Sequence, residues 1–282
     1  MINVKAGIIS RTDFPDALNV AEQVIKHLEK STVEVIVESE TAISLGLKKE
    51  KSTHLSEINA DFLVTIGGDG TILRAAMEMK NPSTPLLGIN MGRRGFLAEV
   101  QPSNIINALN QVLKGNYYLE ESLKLGSESS NENEIMPDAL NEVLVASKLP
   151  SKMIIMEIKV DDETITEIQA DGCIISTPTG STAYNLSAGG SILSPDVDAI
   201  IVTAICPYSY FKSIALSKNA KVTVKLLKPR TEAVVIVDGR SFHPLQHLEE
   251  IKTWVSKNTT KFIRFDSFYT RLNKRLKYLQ AQ

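Results

Sequence analysis

A glycine-rich turn between a predicted strand and a predicted helix constrains this chain more than any other stretch. The apolar, β-rich run Phe62–Ile66 predicts a buried strand, and Thr71–Met79 consists of residues that favour a helix. Between them stands the tetrapeptide Gly-Gly-Asp-Gly, residues 67–70. Glycines at such a turn let the backbone approach a ligand, with amide N–H groups and the positive end of the helix directed outward. This arrangement suits phosphate.

Asp69 is the unexpected residue in this turn. A carboxylate beside a phosphate cradle is repulsive, unless it binds a metal or takes a proton from a nucleophile. The alternative interpretation is a plain tight turn in which Asp69 caps the following helix. On this stretch alone both interpretations stay open.

The first part of the chain alternates strands and helices. Predicted strands are Val4–Ser10, Val33–Val37, Phe62–Ile66 and Pro85–Ile89, and predicted helices begin at Phe14 and span Ile105–Leu113, with Gly115 as a stop. The Lys-rich stretch 47–56 is predicted to be a surface loop. Such alternation predicts a parallel sheet wound with helices, in which ligands bind beyond the carboxyl ends of the strands.

The remainder is rich in short strands. They are predicted at Leu140–Ala146, Met153–Val160, Ile165–Ala170, Cys173–Ser176, Ala199–Ile205, Val222–Leu227, Ala233–Val237 and Ile251–Val255. Asp161–Glu163 is a predicted hairpin turn, and 127–134 a predicted loop tip. A final strand, Phe262–Phe265, leads to a helix with aligned apolar residues, Phe268, Leu272, Leu276 and Leu279.

We therefore predict an α/β plus β fold. A Rossmann-like α/β domain with a parallel sheet covers residues 1–115 and is completed by 256–282, the final helix packing back on it. A β-sandwich-like domain covers residues 116–255.

Composition limits the function classes. The 282 residues have a net charge of −2, which gives no basic footprint for nucleic acid or anionic membrane. Only Cys173 and Cys206 are cysteines, which argues against a disulfide scaffold or a thiolate zinc site. No apolar run reaches membrane-spanning length, and the N-terminus lacks the pattern of a signal peptide. We expect a soluble, cytoplasmic protein.

A second constellation lies in the strand-rich part. Asp171–Tyr184 reads as a strand, a Thr-Pro-Thr-Gly turn and a helix from about Ser181 that Gly189-Gly190 closes. Its hydroxyls, tyrosine ring and N–H groups can hold an adenine, a ribose and a phosphate; the alternative is simply an N-capped helix. Asn141-Glu142 interrupts an apolar strand. The pair can bind ribose hydroxyls or a base edge, or it can face solvent on an edge strand.

Other patterns are missing or weak. The chain has no P-loop, no Gly-x-Gly-x-x-Gly and no His-Arg-Asp kinase pattern. Proline between His243 and His247 and the lack of helical context argue against a metal site there. The arginines in Gly92–Phe96 either face a polyanion or belong to a solvated turn.

Taken together, Gly67–Thr71, Gly92–Phe96, Asn141-Glu142 and Asp171–Tyr184 resemble the NAD kinase family in order and spacing, over most of the chain. The resemblance implies the two-domain fold with a site between the domains. It implies transfer of the γ-phosphoryl of a nucleoside triphosphate such as ATP to the 2′-hydroxyl of the adenosine ribose of NAD. It also implies Mg²⁺ carried by the donor, with no protein metal ligand assigned, and a homodimer or homotetramer.

The resemblance also implies roles for individual residues. Asp69 corresponds to the proposed base for the ribose hydroxyl. The predicted NAD-binding set is Asp69, Gly70, Arg74, Phe96, Asn141, Glu142, Lys152, Gln169, Asp171, Thr179, Thr182, Ala183, Tyr184, Ser187 and Arg240. The predicted donor-binding set is Gly67, Gly68, Gly70, Thr71 and Arg94, with Arg74 also expected beside the triphosphate.

Four positions depart from the common pattern of the resembled family. They are Gln169 for arginine, Tyr208 for histidine, Arg94 for leucine and Arg240 for glutamine. Two rival functions remain: a relative that phosphorylates a lipid or sugar hydroxyl, and a non-catalytic dinucleotide sensor. The first leaves Asp171–Tyr184 unexplained, and the second leaves Asp69 unexplained.

Overall fold

The computed structural model describes residues 4–48, 52–92, 95–131, 133–150, 152–228 and 232–280. Its helices are α1 (Pro15–Lys30), α2 (Ser39–Ser44), α3 (Asp69–Glu78), α4 (Ile105–Leu113), α5 (Tyr184–Ser187) and α6 (Phe268–Gln280). Its strands are β1 (Lys5–Ser10), β2 (Glu34–Glu38), β3 (Ser52–Thr53), β4 (Phe62–Gly67), β5 (Leu86–Asn90), β6 (Tyr118–Ser129), β7 (Ile135–Ala139), β8 (Glu142–Ser147), β9 (Ile154–Val160), β10 (Glu163–Ala170), β11 (Gly172–Ser176), β12 (Ala199–Ile205), β13 (Ser213–Ser217), β14 (Val222–Lys228), β15 (Ala233–Val237), β16 (Ser241–Leu245) and β17 (Glu250–Arg264).

The chain divides into two units. The first comprises residues 1–121 and 260–282, and the second comprises residues 122–259. Strand β17 contributes residues to both. No helix in the described part of the chain has the length and apolarity that crossing a membrane requires.

The first unit is built on a parallel sheet. Its strand order is β3-β2-β1-β4-β5, followed by the end of β17, where Phe262 pairs with Leu86. Strands β1, β2, β4 and β5 pair in parallel because helices connect them. The predicted Rossmann-like α/β domain is confirmed.

The core of this unit lies between the sheet and its helices. Helix α1 begins at Pro15, whose fixed φ suits the first helical position. Its apolar residues recur on one face and are buried: Ala17, Val20, Ala21, Val24, Ile25 and Leu28. They pack with Ile8, Val64 and Ile66 of the central strands in one hydrophobic cluster.

Two short elements of this unit were not predicted. Helix α2 begins after Glu38, whose carboxylate accepts a hydrogen bond from the Thr41 N–H at 2.9 Å. The prediction of a loop over residues 47–56 is partly wrong, since Ser52–Thr53 extends the sheet as β3.

The C-terminal helix belongs to the first unit. Arg271 of α6 donates to the carbonyl of Asp266 at 2.7 Å and pairs with Glu120. It also donates to the Tyr118 hydroxyl at 3.2 Å. The predicted return of the final helix to the first domain is confirmed.

The second unit consists mainly of antiparallel strands. A six-stranded sheet has the order β13-β12-β11-β8-β15-β16. Strands β10, β9, β14 and β17 pair in antiparallel fashion, and β6 pairs with β7 and β17. The predicted turn between β9 and β10 has left-handed φ at Asp161 and Asp162, as a type I′ turn requires. The predicted β-rich domain is confirmed.

Several details of this unit differ from the sequence prediction. Two strands predicted near 251–255 and 262–265 are one strand, β17. Strand β6 was missed, and it extends to Ser129, into the loop tip predicted at 127–134. The helix predicted from Ser181 to Gly189 is only the four-residue α5, preceded by a 3-10 turn at 180–182. A long helix dipole is therefore not available there.

Candidate functional site

The Gly-Gly-Asp-Gly turn joins the end of β4 to the start of α3. Gly67 is the last residue of β4, Gly68 is the N-cap, and Asp69 is the first residue of the helix. A Cβ on Gly67 would lie 2.2 Å from the Thr71 hydroxyl oxygen, so that only glycine fits there. Around Gly68 and Gly70 no atom lies within 4 Å of an added Cβ, which leaves room for a ligand.

Asp69 does not cap its own helix, so the plain-cap interpretation is wrong. Its Oδ2 accepts the Phe96 N–H at 3.0 Å, and its Oδ1 accepts the Leu97 and Ala98 N–H groups, each at 3.2 Å. The carboxylate is half-buried, and a Cβ on Gly95 would lie 2.1 Å from Oδ1. Three donors from the loop after β5 therefore fix the orientation of this side chain.

The Asp69 carboxylate keeps capacity for a further donor. Two carboxylate oxygens offer about four acceptor positions, and the loop occupies three of them. The backbone N–H groups at the start of α3 add partial positive charge beside it. This arrangement can align a hydroxyl group next to an anion.

Arg74 was predicted near the triphosphate and NAD, and its guanidinium lies against two carboxylates. Nη2 lies 3.4 Å from Oε1 of Glu38, and Nη1 lies 2.6 Å from Oε2 of Glu40. Arg74 thus ties α3 to the start of α2. Arg94, the predicted donor-binding arginine, lies outside the described residues, as does Arg93.

In the second unit, Asn141 and Glu142 are buried at the start of β8. Strand β8 lies between β11 and β15, and Glu142 pairs with Ser176. Their exposed fractions are only 7% and 8%. The alternative of a solvent-facing pair on an edge strand is wrong.

The Thr-Pro-Thr-Gly turn is bonded to this segment. The Thr177 hydroxyl donates to the Leu140 carbonyl at 2.6 Å, and the Thr177 N–H donates to the Asn141 carbonyl at 2.9 Å. The Gly180 N–H donates back to the Thr177 hydroxyl at 2.9 Å. A Cβ on Gly180 would lie 2.0 Å from the Asn141 carbonyl oxygen, so glycine is required for this approach. The structure thus brings together two motifs that lie apart in sequence.

Asp238 holds the same segment from the other side, and sequence analysis did not single it out. Its carboxylate accepts the N–H groups of Leu140, Asn141 and Glu142 at 2.7, 2.8 and 3.0 Å. Burial raises the pKa of Asp238, while these N–H groups and the positive charge of Lys124 act in the opposite direction. The only sequence signal was the Asp-Gly pair after a predicted strand.

Two polar atoms of the pair lack a partner among the described residues. They are Oδ1 of Asn141 and Oε2 of Glu142, both buried. Buried polar atoms are nearly always hydrogen-bonded, so these two point to a ligand with hydroxyl or amino donors. Burial, and then the negative charge of Asp238, raise the pKa of Glu142 to about 8.

Five predicted residues lie in the Thr-Pro-Thr-Gly turn or follow it. Thr179 donates to the Ser122 hydroxyl at 3.0 Å, and Thr182 and Ala183 are half-buried. Tyr184 and Ser187 are exposed on α5. Asn185, which sequence analysis missed, anchors this short helix by accepting the Thr203 hydroxyl at 2.6 Å.

The other predicted NAD-binding residues of this unit are Asp171, Gln169, Lys152 and Arg240. Asp171 precedes β11, at the opposite end of that strand from the Thr-Pro-Thr-Gly turn. Gln169 in β10 accepts the Tyr208 N–H on its backbone carbonyl at 2.7 Å. Lys152 is exposed, and so is Arg240, which lies in the turn after β15, two residues from Asp238. Asp171 and Gln169 thus lie apart from the segment around Asn141.

We expect Glu142→Gln to stabilise the fold at alkaline pH. Because the folded protein binds this proton more tightly than the unfolded chain does, the contribution of Glu142 is favourable at low pH and is lost as the pH rises through about 8. Glutamine stays neutral, so the variant does not lose this part of the free energy of unfolding as the pH rises. The free energy of unfolding from urea denaturation at pH 8 should rise by up to about 3 kcal/mol, and by less at pH 5.5. The exposed Glu163→Gln is the matched control, and an equal effect of Glu142→Gln at both pH values would contradict the expectation.

Two family profiles and several curated proteins are similar to this chain. The sequence profile of the ATP-NAD kinase N-terminal domain matches residues 6–117, and that of the C-terminal domain matches residues 140–265. The NAD kinase of Methanothermobacter thermautotrophicus is 38% identical over 97% of this chain and 96% of its own. The NAD kinase of Pyrococcus abyssi is 37% identical over 97% and 99%.

Solved structures give the same result. Yeast NADH kinase complexed with NADH superimposes with a TM-score of 0.88 at 25% identity, over 97% of this chain and 87% of that one. An NAD kinase from Archaeoglobus fulgidus in complex with ATP superimposes with a TM-score of 0.81 at 28% identity, over 98% and 99%.

Proposed function

The chain belongs to the NAD kinase family, and we propose how its residues carry out that reaction. It is an NAD kinase, which transfers a phosphoryl group to the 2′-hydroxyl of the adenosine ribose of NAD and yields NADP. The observation that carries the proposal is the fixed carboxylate of Asp69 beside the glycine turn.

Asp69 aligns the ribose hydroxyl and accepts its proton. Phosphoryl transfer passes through a loose transition state, in which in-line positioning and charge neutralisation matter more than early proton removal. A carboxylate held by three backbone donors keeps one orientation, and it has an acceptor position left for the hydroxyl. The open space around Gly68 and Gly70 receives the phosphates of the donor, which the N–H groups at the start of α3 stabilise.

Asn141 and Glu142 hold the NAD through its hydroxyl and amino groups. Their unpartnered oxygens are acceptors, which suits ribose hydroxyls or an adenine amino group. Tyr184, exposed on α5, offers a ring face for stacking on a base. Asp171 precedes β11 at the end away from Asn141, and Gln169 lies in β10. The NAD-binding role that we propose for these two residues therefore rests on the family resemblance.

We propose Mg²⁺ as the metal that accompanies the phosphate donor. Mg²⁺ usually binds through one or two carboxylates and the substrate phosphates, and among the described residues no group of three potential ligands is present. Because the one remaining acceptor position of Asp69 is assigned to the ribose hydroxyl, the phosphates of the donor would hold the metal at this turn. The metal supplies charge neutralisation on the donor oxygens.

The test is NADP formation from NAD and ATP, followed with an NADP-specific dehydrogenase. We expect turnover with Mg²⁺, its loss with excess EDTA, and its recovery when Mg²⁺ is added back. Turnover that persists in EDTA would contradict the role of the metal. Absence of NADP with ATP, other triphosphates and polyphosphate would contradict the assigned reaction.

We propose that the protein forms a homo-oligomer. The outer face of the six-stranded sheet carries Phe242, 64% exposed, beside Ile236 and Val234, an apolar surface that a second copy would cover. Sedimentation equilibrium tests the homo-oligomer, since a monomer at micromolar concentration would contradict it.

We also propose a cytoplasmic location. Free thiols at Cys173 and Cys206 fit a reducing compartment, and fractionation of the source cells tests the location.

A further inference from the structure

We infer that Asp238 is a positioning residue for NAD binding, which fixes the backbone of Asn141 and Glu142 and places its negative charge near the Glu142 side chain. This inference rests on the proposed role of Asn141 and Glu142. It adds a residue that contacts no predicted substrate group, and a proton released when NAD binds.

The geometry of Asp238 is that of a clamp. Its two carboxylate oxygens accept three consecutive N–H groups, from residues 140 to 142, at 2.7 to 3.0 Å. The Asp238 N–H donates in return to the Glu142 carbonyl at 3.1 Å. Its φ of +49° lies in the left-handed region, where few residues other than glycine, asparagine and aspartate are found. The strained turn after β15 is thus held against the start of β8.

The clamp needs an ionised carboxylate, and a buried cation supplies the balancing charge. Three N–H donors on one carboxylate favour its charged form, although Asp238 is only 5% exposed. Lys124 of β6 is 3% exposed and interacts electrostatically with Asp238 and with Asp138. Burial lowers the pKa of Lys124, and those two carboxylates oppose the change. The negative charge of Asp238 helps to offset the cost of burying the Lys124 ammonium group.

The same charge acts on Glu142. The charged groups of neighbouring elements in this region are Asp238 in the turn after β15, Lys124 on β6 and Asp138 on β7; β11 presents Ser176. Burial and the charge of Asp238 raise the pKa of Glu142 to about 8, so the free protein holds this side chain as a neutral acid at pH 7. A ribose hydroxyl donates better to a carboxylate than to a carboxylic acid. NAD therefore displaces the proton, and its affinity rises with pH.

Isothermal titration calorimetry of NAD binding at pH 7, in phosphate and in Tris, measures the proton directly. The two buffers differ in ionisation enthalpy, so the difference in observed heat gives the number of protons released. We expect a net release of part of one proton from the wild type, and none from Glu142→Gln. NAD binding without proton release would overturn the inference, whereas no NAD binding at all would contradict the proposed function.

Asp238→Asn tests the positioning role. The amide keeps the size of the side chain but loses its charge and one acceptor oxygen. We expect the KM for NAD to rise about tenfold or more with kcat within about threefold. The midpoint of the NAD-affinity pH profile should shift to lower pH, since the charge that opposes ionisation of Glu142 is gone. A purely structural role would weaken binding without that shift, and an unchanged midpoint overturns the inference.

Asp138→Asn is the matched control. Asp138 also neighbours Lys124, but its carboxylate accepts from the side chains of Ser256 and Asn258, both at 2.8 Å, whereas the N–H groups of residues 140–142 donate to Asp238. It should leave the midpoint in place, and a shift as large as that of Asp238→Asn would also overturn the inference. If Asp238→Asn does not fold, the calorimetric comparison of the wild type with Glu142→Gln decides.

Discussion

Asp69→Asn lowers kcat for NADP formation by about 10²- to 10⁴-fold while the KM for NAD changes little. The amide cannot accept the proton of the ribose hydroxyl. It also replaces one oxygen that binds the N–H groups of Phe96, Leu97 and Ala98. Steady-state kinetics with saturating Mg·ATP, together with NAD binding by calorimetry, measure both effects.

The loss of activity has to be separated from loss of structure. Glu78→Gln lies on the exposed side of the same helix and should retain wild-type kinetics. The Asp69→Asn variant should unfold at a somewhat lower urea concentration, since a lost hydrogen bond to a buried donor costs about 1–3 kcal/mol. A folded Asp69→Asn enzyme with more than a tenth of the wild-type kcat would show that Asp69 is not the base.

Arg264→Met destabilises the protein by about 3–5 kcal/mol, the largest effect on stability that we expect. The Arg264 side chain is 3% exposed, and its Nε donates to Glu120 at 3.0 Å. Its Nη1 donates to the Leu97 carbonyl at 2.7 Å and lies 3.7 Å from Glu99. Methionine fills the volume but leaves two buried carboxylates with less positive charge.

Urea denaturation followed by circular dichroism measures this loss. Lys5→Met is the matched control, because it breaks the exposed pair with Glu34 and should cost less than about 1 kcal/mol. A loss below 1 kcal/mol for Arg264→Met alone would contradict a buried-charge role.

Activity should fall with stability in the Arg264 variant. Leu97 is held on both sides, with its carbonyl bonded to Arg264 and its N–H bonded to Asp69. When Arg264 is lost, the loop that orients Asp69 loses one of its supports. We therefore expect the network around Arg264 to support the catalytic turn as well as the fold.

The elements that the sequence predicts well are those determined by residues close together in the chain. The strand before residue 67, the glycine turn and the helix after it are encoded by neighbouring residues, and the structure contains all three. The β9–β10 turn follows in the same way from its two aspartates. Each of these elements depends on backbone preferences that act over a few residues.

The sequence does not predict the contacts between residues that are far apart in the chain. The partners of Asp69 lie 27 to 29 residues away, and those of Asp238 lie 96 to 98 residues away. No local pattern indicates that Arg74 pairs with Glu38 and Glu40. Strand β6 was not predicted because its buried residues include Lys124, whose charge is balanced by Asp138 of β7 and by Asp238 in the turn after β15.

The most direct test of the central claim is a single-turnover experiment with wild-type enzyme in excess over NAD, started with Mg·ATP and quenched over time. We expect all of the NAD to become NADP, with the new phosphate on the 2′-hydroxyl as shown by ³¹P NMR. NAD that is bound by the enzyme but recovered unchanged with every donor would contradict it and indicate a dinucleotide sensor instead.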